Sequence, residues 1–223
     1  MLADFETNLK NQKTCLEELR LFFNDSTKIP NETSEFLTGF KEILMRRHEF
    51  LKVRKLEFYS VKGEDVMQVL PFLDPKSLEN LEISNPHYGT SSLVKPKSLP
   101  VNIEDITKTE QWKNLKEFYL RTEDISTPIQ KMNLSNFSKI YMTSVARITS
   151  EDIAYLKENL LTPKLQRVII CFKEFVVDPP ITDLLGQPGN TIRGERIWGF
   201  PIPGTNGRMM IIVLNKRLCI ENR

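Results

Sequence analysis

The spacing Leu-x-x-Leu-x-Leu, with any large apolar residue allowed at each position, recurs six times along the chain. The copies are Leu16-Leu19-Leu21, Val53-Leu56-Phe58, Leu78-Leu81-Ile83, Leu115-Phe118-Leu120, Phe137-Ile140-Met142 and Leu165-Val168-Ile170. Their starts lie 37, 25, 37, 22 and 28 residues apart. Each copy ends in a period-2 stretch, the pattern of a strand with one buried face. Between copies the period becomes helical. Ser34 to Phe50 carries Phe36, Leu37, Phe40, Ile43, Leu44 and Phe50 at 3.6-residue spacing, and Glu64 to Leu73 and Ser150 to Leu161 are shorter versions. Thr149 or Ser150 is the expected N-cap of the last, and Pro163 its stop. The acid pairs Glu64-Asp65, Glu104-Asp105 and Glu151-Asp152 each precede an apolar-periodic run, so they read as first-turn residues favoured by the helix dipole.

Strand, helix, strand at these lengths implies parallel strands joined by right-handed crossovers. A repeated unit of that kind stacks, so the expected class is α/β, an irregular leucine-rich-repeat-like solenoid with a parallel sheet over residues 1–177. A doubly wound sheet is the rival, because it is also built of βαβ units. The Asn that closes a leucine-rich repeat falls eight positions after the first Leu; only Asn24 fits, and Val61, Pro86, Glu123, Val145 and Lys173 stand elsewhere. Residues 178–223 change character. Val176 to Gly194 reads as a Pro- and Gly-rich loop, and Glu195–Ile202 and Arg208–Leu214 flank a Pro-Gly-Thr-Asn-Gly turn. That is an antiparallel hairpin, placed to cap the open edge of the sheet.

With 223 residues, 40% of them apolar and 27% charged, the chain falls in the globular range, and such a fold buries about 70% of its unfolded surface. No metal or disulfide is then needed. The three cysteines, Cys15, Cys171 and Cys219, are too few and too far apart for a paired framework or a zinc knuckle and are expected as buried free thiols. The net charge of +2 makes no bulk case for nucleic acid. MLADFETNLK lacks the basic and apolar regions of a signal peptide, and no run approaches the roughly 20 apolar residues of a membrane span. The expectation is an intracellular protein, cytoplasmic or nuclear, with no membrane partner.

Reactive chemistry lacks its parts. His48 ends an amphipathic run and His87 sits in a Ser-Asn-Pro-His-Tyr-Gly loop. There is no His-x-x-x-His, Cys-x-x-Cys or Gly-x-Ser-x-Gly, and Gly186, Gly189 and Gly194 do not form a dinucleotide-binding turn. No enzyme activity, metal or cofactor is expected.

Several stretches carry a family likeness: Leu51-Lys-Val-Arg-Lys-Leu-Glu-Phe, the Val66–Ile83 segment with its Leu70-Pro-Phe-Leu-Asp-Pro turn, Glu110-Gln-Trp-Lys-Asn-Leu-Lys, and Ile148–Glu158. Over about residues 51–175 they resemble the FTH domain, the leucine-rich module that follows the F-box in nematode F-box A proteins. Thr191-Ile-Arg-Gly-Glu-Arg-Ile-Trp and the hairpin are similar to the end of such proteins. The resemblance implies an adaptor, in which an F-box docks on the Skp–cullin ubiquitin-ligase core and the FTH region holds a partner or ubiquitination substrate. Residues 1–50 show neither the Leu-Pro nor the basic Cys-Arg-Trp-like ending of an F-box, and read as another strand–helix unit. Docking on the ligase core would then need an F-box not seen here.

A binding role calls for a surface. If the apolar set faces inward, the alternate residues face outward on the concave side: Glu18, Arg20, Phe22; Lys55, Glu57, Tyr59; Asn80, Glu82, Ser84; Glu117, Tyr119, Arg121; Lys139, Tyr141, Thr143; Arg167, Ile169, Cys171. Aromatics and Arg are the types enriched in interface hot spots, which singles out Arg20, Phe22, Tyr59, Tyr119, Arg121, Tyr141 and Arg167. Tyr59, Tyr119 and Tyr141 are expected at one equivalent position, lining one strip. Tyr also simply suits strands, so both readings stand. An F-box-less regulatory adaptor or an RNA-associated protein with bases stacked on the tyrosines is the alternative, and the acids among them weigh against nucleic acid.

Overall fold

All six copies of the leucine pattern are strands. The computed structural model describes residues 2–10, 12–23, 30–59, 63–85, 101–122, 125–192 and 194–223. In chain order its elements are α1 (Leu2–Lys10), β1 (Leu16–Phe22), α2 (Pro30–Met45), β2 (Val53–Tyr59), α3 (Gly63–Val66), β3 (Asn80–Ser84), α4 (Glu104–Thr107), α5 (Glu110–Asn114) and β4 (Glu117–Arg121). They continue with β5 (Lys139–Thr149), α6 (Ser150–Leu160), β6 (Arg167–Val176), α7 (Ile181–Leu185), β7 (Asn190–Ile192), β8 (Glu195–Pro201), β9 (Arg208–Leu214) and β10 (Arg217–Asn222). His87, Asn24, Val61, Pro86 and Glu123 lie outside the described residues.

The strands form one mixed ten-stranded sheet in the order β1-β2-β3-β4-β5-β6-β10-β9-β8-β7. β1 to β6 are parallel and follow chain order, whereas β10, β9, β8 and β7 are antiparallel. A doubly wound sheet reverses its strand order at a switch point; this one does not. The hairpin of β8 and β9 is as expected, but the strand that covers β6 is β10, a final strand reached through a two-residue Asn215-Lys216 turn. The expected loop from Val176 to Gly194 also contains α7 and β7.

Register explains the core. Leu19, Leu56, Leu81, Phe118, Ile140 and Val168 stand opposite one another across the six parallel strands, and Leu21, Phe58, Ile83, Leu120, Met142 and Ile170 form the next ladder. All twelve are buried. Both ladders continue into Ile220 and Leu218 of β10, Ile211 and Val213 of β9, and Trp198 of β8. Burying Leu19 and Leu21 makes residues 16–45 the first strand–helix unit, as expected from the spacing.

The helices cover this apolar face. α2 brings Leu37, Phe40, Ile43 and Leu44 to it; it starts earlier than Ser34 and ends before Phe50, which is exposed. In α5, Trp112 packs edge-on to Phe118 at 4.7 Å and Phe137 at 5.0 Å, and its Nε1 donates to the Met132 carbonyl at 2.7 Å. Gln111 donates to the carbonyl of Leu73 at 2.7 Å, so the Glu-Gln-Trp-Lys segment is tied directly to the Leu-Pro-Phe-Leu-Asp-Pro turn. α6 opens with a full capping box: Thr149 accepts from the Asp152 amide at 3.1 Å while Asp152 accepts from the Thr149 amide at 2.9 Å. All three acid pairs occupy helix first turns. No helix among the described residues is long and apolar enough to cross a membrane. Of the cysteines only Cys219 is buried; Cys171 is half-buried and Cys15, just before β1, is exposed, which corrects the expectation for both.

Candidate interaction surface

On the opposite face of the sheet, alternate residues fall into three cross-strand rows. The first runs Glu18, Lys55, Asn80, Glu117, Lys139, Arg167, Glu221; the second Arg20, Glu57, Glu82, Tyr119, Tyr141, Ile169, Cys219, Ile212, Ile197. The third contains Phe22, Tyr59, Ser84 and Arg121, and further along Cys171, Arg217 and Leu214.

Over β1 to β4 the rows form a lattice of charge. Arg20 pairs with Glu18 at 2.9 Å and Glu57 at 2.7 Å. Lys55 pairs closely with Glu57, and lies 3.2 Å from Glu18 and 3.9 Å from Glu82. Arg121 reaches Glu82 at 3.5 Å, and Lys139 reaches Glu117 at 2.8 Å. Glu57, Glu82 and Ser84 were expected to face outward into solvent, yet they are only 4%, 7% and 4% exposed. Arg20 and Lys55 pair with Glu57, and Lys55 and Arg121 with Glu82, so the two buried carboxylates are neutralised by cations from their own and neighbouring strands. Burial pulls the Lys55 ammonium down, but its hydrogen bonds to Glu57 and Glu18 outweigh that and leave its pKa raised. Burial likewise pushes Glu18 up, and bonds from Lys55, Glu57 and Arg20 win, leaving it lowered.

The predicted binding residues fall into two groups rather than one strip. Phe22 stands 60% exposed beside Tyr59, with ring centroids 5.2 Å apart, and Arg20 lies next to them. Tyr119 and Tyr141 are direct neighbours on β4 and β5, with Arg121 over the Tyr141 ring at 5.8 Å and Arg167 one row away. Tyr59 is one row off: it stands between Phe22 and Ser84, because it lies two residues further along its strand than the other two tyrosines. Glu82 and Ser84 separate the groups. Both hydroxyls approach carboxylates, Tyr119 donating to Glu117 at 3.0 Å and Tyr59 lying 3.4 Å from Glu57. Burial first, and then those carboxylates, push both phenols up.

Beyond β5 the second row turns apolar. Ile169, Ile212 and Ile197 are half-buried on this face, next to buried Cys219. Ile212 and Ile197 are not singled out by the sequence, in which the tail reads as a structural cap. The signal for Ile212 lies in Met209-Met210-Ile211-Ile212-Val213-Leu214: an unbroken apolar run places apolar residues on both faces of a strand, and here only one face is core.

Among the described residues, two cavities of about 720 Å³ each lie elsewhere. One, between α1 and the end of α2, is lined by Lys10, Arg46, Arg47 and His48; the other adjoins it at Phe50 and Phe72. Among the described residues no group of three or more His, Cys, Asp or Glu could hold a metal ion.

The molecule is thus a mixed α/β protein with one sheet face packed by helices and the other presenting side chains. The chain belongs to the FTH domain family, whose match covers residues 34–182. It is also similar to F-box A protein 224 of Caenorhabditis elegans, at 26% identity over 160 residues. That similarity covers 72% of this chain and 38% of the relative, so the chain spans well under half the length of the curated relative it matches. No solved structure matches the chain.

Proposed function

We propose that this chain is a non-catalytic protein-recognition module, the region of an F-box-type adaptor that holds a partner or ubiquitination substrate for a Skp–cullin ligase. In this reading β1 to β6 and their helices are a degenerate leucine-rich-repeat-like solenoid, residues 1–177, and residues 178–223 extend and close its sheet in the cytosol or nucleus. The observation that carries the proposal is the pair Tyr119 and Tyr141, half-exposed side by side on the face opposite the described helices, with Arg121 against the second ring. Rigid rings with a guanidinium beside them bury area at low entropy cost, which suits a hot spot. The cations nearest the rings, Arg121 and Lys139, are held by Glu82 and Glu117, which favours a protein partner over nucleic acid.

The test is affinity capture from Caenorhabditis elegans extract with the chain and with its Tyr119→Ala/Tyr141→Ala variant. A set of proteins held by the first and lost by the second, at equal melting temperature, supports the proposal. Identical sets from both, or salt-sensitive RNA as the captured material, overturn it.

A further inference from the structure

We infer that the antiparallel end of the sheet is a seat for an acidic amphipathic helix, lying across the strands on the face of the tyrosines. This deepens the recognition reading and rests on it. The seat is the apolar stretch of the second row: Tyr119, Tyr141, Ile169, Cys219, Ile212 and Ile197, from six consecutive strands of the sheet. All are half-buried except Cys219, which is buried. Solvated antiparallel faces alternate apolar-in with polar-out, so an apolar row on the outer face of β8, β9 and β10 does nothing for the core beneath it.

The dimensions select the occupant. Strands lie about 4.8 Å apart, so six neighbours span about 24 Å, the length of roughly 16 helical residues. Two residues along a strand advance about 6.7 Å, so the first and third rows stand about 13 Å apart, which matches the diameter of about 10–12 Å of a helix with its side chains. A single extended chain fills less than that width.

Charge selects its flanks. Arg167 in the first row and Arg217 in the third lie on opposite sides of the apolar stretch, on the neighbouring strands β6 and β10. Both are exposed, and among the described residues neither is ion-paired with a carboxylate. The first-row acids are already engaged, Glu117 by Lys139 at 2.8 Å and Glu221 by Arg223 at 2.5 Å. Beside Arg217 a hollow of about 660 Å³ adds Lys216, with Glu195 as its one acid. Arg167 hydrogen-bonds to the Cys219 thiol at the edge of the floor and leaves its charge without a carboxylate. An apolar floor flanked on each side by a cation that no carboxylate neutralises complements a helix with an apolar stripe flanked by Glu or Asp.

The probe is a labelled 16-residue peptide with Leu at helical a, d and e positions and Glu on both flanks, measured by fluorescence anisotropy against the full chain. Its companions carry Lys in place of Glu, or Pro at the centre. The Glu peptide should bind at least tenfold more tightly than either. Arg167→Glu/Arg217→Glu, two exposed changes that leave the core alone, should reverse the order of the Glu and Lys peptides. Ile212→Ser should weaken both.

Equal affinity for the Glu and Lys peptides, or a preference that the double Arg variant leaves unchanged, overturns the inference. So does equal binding of the Pro peptide, which makes the occupant extended. Self-association of the chain that is lost in Ile212→Ser makes it a second copy. If the peptides fail while Tyr119→Ala/Tyr141→Ala still strips the captured proteins, the helix seat is wrong and the recognition role stands.

Discussion

Glu57 and Glu82 stand opposite one another on the neighbouring strands β2 and β3, both buried, with the Lys55 ammonium reaching toward each. Two like charges at that spacing repel, so the cations around them are structural. Removing Lys55 leaves Glu57 with Arg20 and Glu82 with Arg121, so two desolvated carboxylates face each other with less compensating charge, at a cost that exceeds the worth of one ion pair. Lys55→Met is expected to cost about 1–3 kcal/mol, and adding Glu57→Gln should return part of it. Urea melts of the two singles and the double check this; equal loss in single and double would show that the lattice is not coupled.

The same lattice sets a pH dependence at both ends. Lys55 has a raised pKa in the fold, so its contribution is complete below its ordinary value and is lost as pH rises through the raised one. Glu18 has a lowered pKa, so its contribution is present above the ordinary carboxylate value and is lost as pH falls through the lowered one. Stability measured against pH should therefore fall at both extremes, and Lys55→Met should flatten the alkaline limb. An unchanged alkaline limb in that variant would remove Lys55 from the account.

The capping box of α6 is a local device with a local cost. Thr149→Ala removes the acceptor of the Asp152 amide and should destabilise the protein by about 1 kcal/mol; Thr149→Ser should largely restore it. Thermal melts of the three proteins decide between a cap and a residue whose methyl group alone counts.

These cases show what a one-dimensional pattern carries. The N-cap of α6 at Thr149 or Ser150, the acid pairs and the six strands were legible because each depends on neighbours within a turn or on a buried face of fixed period. The burial of Glu57 and Glu82 was not, because the cations that pair with them, Arg20 from β1 and Arg121 from β4, come from other strands. The offset of Tyr59 was legible by counting from the leucines: it follows Phe58, whereas Tyr119 and Tyr141 precede Leu120 and Met142. β10 is not legible in the same way, because the Asn215-Lys216 turn before it lacks the glycine that marks a two-residue hairpin. α7 has five residues inside a Pro- and Gly-rich stretch, where composition outweighs the buried pair Ile181 and Leu185.

The cysteines differ enough in setting to be told apart by chemistry. Cys15 is exposed, whereas Cys219 is buried, and burial pushes its thiol up, so little thiolate forms near neutral pH. Iodoacetamide at neutral pH should label Cys15 first, Cys171 more slowly and Cys219 only on unfolding. Mass spectrometry of digests over time reads the order. Early labelling of Cys219 would show that the tail strands open without global unfolding.

The two aromatic groups on the sheet face make opposing predictions for single substitutions. Tyr141 lies beside Tyr119 and at the start of the apolar row, with no hydroxyl bond to the lattice among the described residues, so its ring is free to serve a partner. Tyr59 lies against Phe22 with its hydroxyl near buried Glu57, so its ring shields that carboxylate. Tyr141→Ala should weaken partner binding by about 1–3 kcal/mol and barely move the melting temperature. Tyr59→Ala should do the reverse, losing roughly 1–2 kcal/mol of stability while binding is little changed. Paired melting and binding measurements separate the two. If Tyr141→Ala unfolds the protein, its ring belongs to the structure; if Tyr59→Ala alone abolishes binding, the working surface is the exposed Phe22 end of the sheet.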